Sequence, residues 1–278
     1  MMLKNSRFVR DFVLDIEVNN KGLSFRPPLR VQFEATKSIY GQLNKMSVKI
    51  YNLNGGNRKQ LAKDPEQNTL IPITLSAGYQ DKTEKIFKGT VFEAYSERRG
   101  TDFITTIESI DGGYDMYNSF TSQTVIGKDN AVKAILSDFT RIKKGKITEQ
   151  NSLVRPKVLV GNSIKLLEEQ LNDDETFYID DEKLYIIKAN EVVSEYIPVI
   201  NSETGLINQP QRANKIVTFD TMMNPSIKIG GRVDLRSETA LHLVGIYKVE
   251  TIIYAGDNYG SDWRQKCSGR IIPDLQVI

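Results

Sequence analysis

The chain holds one histidine, His242, and one cysteine, Cys267. Any triad of the Ser-His-Asp or Cys-His kind within it would have to pass through His242. That residue lies in SETALHLVG, between two strand-like segments, with neither a GxSxG elbow nor a cysteine motif beside it. A loop or half-buried structural histidine is the expected reading. One histidine and one cysteine exclude a zinc site of the usual composition, and a lone cysteine cannot close an intrachain disulfide. Carboxylates could still hold a hard cation. Two acidic clusters, Asp173-Asp174-Glu175 and Asp180-Asp181-Glu182, are the candidates, but neither has the alternating spacing of a calcium loop. Both sit where a turn favours aspartate, so solvated turns are expected. Gly127-Lys128 is followed by Asp129 rather than Ser or Thr, and so is not a phosphate-cradling loop. The 35 acidic residues supply many pairs for glycoside hydrolysis, and nothing in the sequence singles one out. No catalytic, cofactor-binding or metal-ligating residue is expected, and no enzyme activity.

Charge excludes another class. The 37 basic residues nearly balance the acidic ones, leaving a formal charge of +2. A nucleic-acid binder that works by neutralising phosphates carries a larger electrostatic footprint. The one local excess is Arg141, Lys143, Lys144 and Lys146, joined by Arg155 and Lys157. It follows an expected helix end, where cations complement the dipole, and lacks interleaved aromatics. It reads as a solvated loop. No run approaches the ~20 apolar residues of a spanning helix, so no stable membrane insertion is expected.

The elements that would position these residues change period along the chain. At roughly 100–200 residues per domain, the 278 residues predict two or three domains. Phe12, Leu14, Ile16 and Val18 are apolar with Asp15 and Glu17 between them, and Leu29, Val31, Phe33 and Ala35 alternate with Arg30, Gln32 and Glu34. Met46, Val48 and Ile50 follow the same rule, as do Ile71, Ile73 and Leu75. Period two means one buried and one wet face, the pattern of antiparallel sheets. NLNGGNRKQLAKDP should carry a short helix ended by Asp64-Pro65. AGYQDKTEKIF and SERRGTDF look like hairpin connections. Then Val132, Ile135, Leu136 and Phe139 adopt helical spacing, with Asp129 as the expected cap, and a second helix should begin near Ser163. FYIDDEKLYII reads as a hairpin turned at Asp180-Asp181-Glu182. Beyond it, Ile227, Ile229, Val233 and Leu235 alternate again around Gly230-Gly231, and GIYKVETIIYA and SDWRQKCSGRII form a last long hairpin. Trp263, the single tryptophan, reads as a core or interface anchor. The expected architecture is mainly β with a small α/β insert: two tube-like antiparallel β-barrels at residues 1–112 and 201–278, and an insert at 113–200 whose strands the second barrel can recruit. No residue-level repeat is visible.

Several segments taken in order resemble the bacteriophage baseplate hub family, proteins similar to the phage T4 tail hub and the base of the type VI secretion spike. They are MSVKIYNLN, LSAGYQDKTEKIFKGTV, DFITTIESIDGG, the helix–helix–FYIDDEKLYII middle, SETGLINQPQ, MMNPSIKIGGRVDLRS and IYKVETIIYAGDNYGSDW. The resemblance implies a homotrimer whose two barrels per chain make a ring of six, joining a six-fold tail tube or tube-initiator protein above to a three-fold spike below. It implies a virion component assembled in the host cytoplasm, other baseplate proteins as partners, and passage of DNA without sequence-specific binding. The spike tip and any wall-digesting enzyme are expected on separate chains. A tail-associated hydrolase, a carbohydrate-binding module, and the hub of a phage-derived contractile injection machine are the alternatives.

Overall fold

The computed structural model describes residues 9–41, 43–80, 82–148, 156–272 and 276–278. The alternating N-terminal stretches form strands. These are β1 (Arg10–Val18), β2 (Lys21–Phe25), β3 (Val31–Ser38), β4 (Lys45–Tyr51), β5 (Pro72–Tyr79), β6 (Lys82–Arg99) and β7 (Asp102–Ile110). Their apolar positions face one way. Phe12, Leu14, Ile16, Val31, Phe33, Ala35, Met46, Val48, Ile50, Ile73 and Leu75 are all buried. Leu29 falls just before β3 and is only partly buried. Helix α1 (Gly55–Leu61) interrupts β4 and β5. Asn54 caps it by accepting from the Asn57 N–H, and the helix ends before Asp64-Pro65. The β5–β6 connection includes Asp81, which lies outside the described residues; Arg99 and Asp102 pair across a turn at Gly100 and Thr101.

The middle holds α2 (Gly113–Asn118), β8 (Phe120–Ile126), α3 (Lys128–Ser137), β9 (Lys143–Ile147), β10 (Pro156–Asn162), α4 (Ser163–Glu168), β11 (Glu175–Asp180), β12 (Lys183–Lys188) and the short β13 (Glu191–Val192) and β14 (Val199–Ile200). Helix α3 buries Val132 and Ile135 as its spacing requires. Its cap is Gly127, not Asp129, which sits in the first turn and complements the dipole there. The expected solvated basic loop is instead strand β9, parallel to β12. A run of lysines shows no apolar alternation, so its pairing could not be read from period. Arg155 of that cluster lies outside the described residues. Ala131, Ile135, Leu159, Leu167, Phe177, Leu184 and Ile186 belong to a small core of their own.

The chain ends in β15 (Gln211–Ala213), β16 (Ile216–Met222), β17 (Arg232–Leu235), β18 (Gly245–Asp257), β19 (Trp263–Arg270) and β20 (Gln276–Val277). Ile227 and Ile229 alternate and are buried, yet they lie in turns before β17. Gly230 adopts φ +68, and a Cβ there would meet the Tyr178 hydroxyl at 2.3 Å. Gly230→Ala is therefore expected to cost about 2–4 kcal/mol, from left-handed strain plus overpacking. Urea denaturation measures this, and a loss below 0.5 kcal/mol would show that the tyrosine gives way.

The closed barrels expected from the sequence are not present as closed ladders among the described residues. Thirteen strands form one sheet in the order β15-β16-β19-β18-β3-β4-β7-β6-β5-β1-β2, with β14 and β17 attached through β18. Both ends of that order are open. Alternation tells which face is buried but not which strands meet. The seam between the two halves is β18 against β3, antiparallel from Thr251↔Ser38 to Asp257↔Gln32.

The two halves share one connectivity. In the first, β3 pairs β4, β4 pairs β7, β7 pairs β6 and β6 pairs β5. In the second, β15, β16, β19, β18 and β17 repeat these pairings in the same chain order. Even the irregularities coincide. The β6–β7 ladder slips between Val91 and Glu93, and the β18–β19 ladder between Val249 and Thr251.

Candidate functional site

The densest cluster of ionised side chains lies where the β11–β12 hairpin meets the large sheet. The hairpin turns through Asp181 and Glu182, both at left-handed φ of 54 and 59. Two such residues make the turn that matches strand twist, normally at some steric cost to residues with side chains. Asp111 offsets the cost. Its carboxylate accepts from the Asp181 N–H at 2.6 Å and the Glu182 N–H at 2.8 Å. Asp115, one helical turn on, likewise accepts from the backbone N–H groups of Thr140, Arg141 and Ile142.

The turn's own carboxylates collect cations from the sheet. The Lys37 ammonium lies 2.5 Å from Asp180 and 3.1 Å from Asp181, which also meets Lys85 at 3.1 Å. Glu182 takes Lys88 at 2.7 Å and the Arg141 guanidinium at 2.9 and 3.0 Å. Burial alone would push the Lys37 ammonium down, but Asp180 and Asp181 outweigh it and hold its pKa above the ordinary lysine range. Burial would raise Asp181, and Lys37 and Lys85 hold it below the usual carboxylate range. Asp111 is pushed up to about 8, first by burial and then by the neighbouring Asp180.

The solvated turn expected at Asp180-Asp181-Glu182 is thus a largely buried ionic fastening. Asp111, Asp180 and Asp181 bring oxygens within 4.8 Å of one another, a spacing that suits a cation. The Lys37 ammonium provides one. These carboxylates face ammonium, guanidinium and backbone N–H groups rather than an open cleft, so the arrangement holds two parts of the fold together. Sequence reasoning missed Lys37, although the signal was present: it continues the series Val31, Phe33, Ala35 onto the buried face of β3. Lys248 is a second buried lysine, donating to the carbonyls of Lys188 and Ala189. Burial lowers its pKa to about 8 against the opposing pull of Glu250 and Glu191.

The residues singled out from sequence lie apart. His242 is exposed in a 3-10 turn, Leu241–Leu243, with no hydrogen bond among the described residues. Cys267 is fully buried, which pushes its thiol well up. In the other acidic cluster Asp173 and Asp174 are exposed, while Glu175 pairs with Lys128 at 2.7 Å. Trp263 is a core anchor. Its Nε1 donates to the Gly78 carbonyl at 2.9 Å, and its ring meets Phe33 edge-on at 5.5 Å. A hollow of about 390 Å³ lies between Lys63–Thr69 and α2 and is bordered by Phe92, Tyr114 and Tyr117. Lys63 spends its ammonium on the Thr69 and Val91 carbonyls. Among the described residues no helix is long and apolar enough to cross a membrane.

Comparison with known proteins bears on the whole chain. The family described as baseplate hub gp41 matches residues 13–267. No curated protein matches in sequence. Among solved structures, the 43 kDa tail protein of prophage MuSo2 from Shewanella oneidensis is 10% identical, with a TM-score of 0.66 over 95% of this chain and 97% of that one. The Escherichia coli c3393 protein, a component of the type VI secretion system described as structurally similar to the T4 tail proteins gp27 and gp5, is 7% identical. It has a TM-score of 0.61 over 94% of this chain and 78% of its own. A chain of the Francisella PdpA–VgrG complex is 10% identical, with a TM-score of 0.61 over 97% of this chain and 59% of its own. At such identities these likenesses show a shared fold.

Proposed function

The chain belongs to the baseplate hub gp41 family, and from that premise we propose that it is the structural hub of a phage tail, a trimeric adaptor joining a six-fold tail tube to a three-fold spike around a DNA channel. Family membership makes it a tail baseplate component, and so part of the virion. The observation that carries the finer reading is the repeated connectivity of the two halves. Three chains supply six topologically equivalent units to a tube above and only three inserts to a spike below. A closed ring needs heterologous contacts, and two related but unequal units per chain provide them.

In this reading residues 1–112 and 201–278 each serve as one tube-like unit, and residues 113–200 form the insert. The fastening at Lys37, Asp180 and Asp181 fixes that insert to the first unit. The chain works as a scaffold, without catalysis or cofactor. A near-neutral charge suits a channel that DNA crosses, since a strongly cationic wall would retain it by counterion release.

Co-expression with the spike protein tests the proposal. Light scattering should report three hub chains per complex, and screening on peptidoglycan and polysaccharide should show no turnover. Six hub chains, no complex with either neighbour, or activity lost on mutating one carboxylate pair would overturn it.

A further inference from the structure

We infer that neighbouring chains join by pairing the free edge of β6 in one copy with β15 of the next, in the register that β18 and β3 already use within each chain. The inference rests on the ring reading above and names the contact that closes it. Residues that occupy equivalent ladder positions in the two halves carry the argument. Thr90↔Ile110 corresponds to Lys248↔Arg270, and the coincident slips then place Tyr95 on Ile253, Ser96 on Tyr254 and Glu97 on Ala255. On the other strand, Ala35↔Met46↔Ser109 corresponds to Arg212↔Val217↔Gly269, so Glu34, Ala35 and Thr36 match Gln211, Arg212 and Ala213.

Within the chain the seam pairs Ile253↔Thr36, Tyr254↔Ala35 and Ala255↔Glu34. The equivalent residues of the other two strands are unpaired on that side among the described residues. β5 covers β6 as far as Thr90; beyond it Val91 donates to the Ile71 carbonyl and accepts from the Lys63 ammonium, and Lys63 bridges Ala94, which leaves Tyr95, Ser96 and Glu97 without a strand on that side. β15 has β16 on one edge and no strand on the other. Tyr95, Ser96 and all three residues of β15 are exposed, whereas Tyr254 and Ala35 are buried by the seam. Besides the open end at β2, each chain thus offers the uncovered part of β6 and the outer edge of β15, complementary to one another by the chain's own example. Sheets seldom leave such edges unpaired. A second copy supplies the missing strand on each side, giving Tyr95↔Ala213, Ser96↔Arg212 and Glu97↔Gln211.

The pairing can be read by cross-linking. Across the seam the Glu250 carbonyl accepts from Ile39, so the even-numbered residues of β18 turn their backbone to β3, and Ile253↔Thr36 is a non-hydrogen-bonded pair. By equivalence so is Tyr95↔Ala213, with Cα atoms about 4.5 Å apart and within disulfide reach. Full-length chain carrying Tyr95→Cys and Ala213→Cys is co-expressed with its tube and spike neighbours, and the isolated complexes are mildly oxidised. Buried Cys267 does not compete. A non-reducing gel should show a ladder that ends at three chains. Either single variant should stay monomeric, and the shifted pair Tyr95→Cys with Gln211→Cys should cross-link at least tenfold less. Complexes that hold three hub chains by mass yet give no ladder would leave the ring standing and overturn the edge pairing. Dimers from a single variant would overturn it too, by showing a two-fold contact. Complexes without three hub chains would overturn the ring and the pairing together.

Discussion

A chain carrying Val48→Asp is expected not to accumulate in soluble form, while Lys49→Asp in the neighbouring position is expected to fold. Val48 lies at the centre of β4 with no solvent exposure, paired between Phe33 on β3 and Ile107 on β7. A carboxylate there has no cation or donor within its layer, and an unpaired buried charge costs several kcal/mol on top of the lost packing. With total stability of roughly 5–15 kcal/mol, that removes most or all of the fold. Lys49 faces the opposite, half-exposed side of the same strand, where a sign change costs on the order of 0.5 kcal/mol. The measurement is the soluble fraction of each variant at matched expression. Equal behaviour would mean that the strand faces are assigned wrongly.

Lys37→Met should be nearly as damaging by a different route. It preserves side-chain length and apolar packing but removes the cation between Asp180 and Asp181, leaving them beside Asp111 with Lys85 on Asp181 as the remaining ion pair among the described residues. Removing one partner of a buried pair costs about 3–5 kcal/mol, because the opposite charges stay buried without compensation. The pH dependence identifies the cause. In the native chain Asp181 titrates below the usual range, so its share of stability is present above the unfolded carboxylate pKa and is lost as pH falls through the lower folded value. Without Lys37 the clustered carboxylates titrate higher and bind protons more readily when folded. The deficit of the variant should therefore be greatest near pH 7.5 and shrink towards pH 5. Urea denaturation at both values measures it. A deficit independent of pH would assign the loss to packing.

Strands β1, β3, β4 and β5 were legible because their buried residues fall mainly on one face, whereas β7 buries residues on both. Leu14 to Val18 and Met46 to Ile50 show their alternation without interruption, and the structure places their apolar residues inside. The same rule was available for Lys37 and was obscured by residue type, since a lysine on a strand reads as exposed until its position in the series is counted. Ile227 and Ile229 misled in the opposite sense: turn residues can be buried and alternate by coincidence. The repeat escaped notice because ladder equivalence constrains facing, not identity. Met46, Val48 and Ile50 stand opposite the same neighbours as Val217, Phe219 and Thr221, all buried, with no residue in common. The Asp180–Glu182 fastening could not be read at all, since its cations come from β3, β6 and the α3–β9 connection, far away in sequence.

The matched connectivity of the two halves also bears on ancestry. A single gene encoding one half could, as six copies, have closed a ring on one repeated seam, with no means of distinguishing alternate positions. In the proposed ring, duplication and fusion would keep six strand-and-seam units and reduce the free polypeptides to three. Selection can then act on one half without the other. The shortening of β15 to three residues against the eight of β3, and of β17 to four against the eight of β5, is such a divergence. So is the segment between the halves, which in the proposed ring would occur once per chain, three times against six units. Descent by fusion thus offers a route to change symmetry without inventing a second fold.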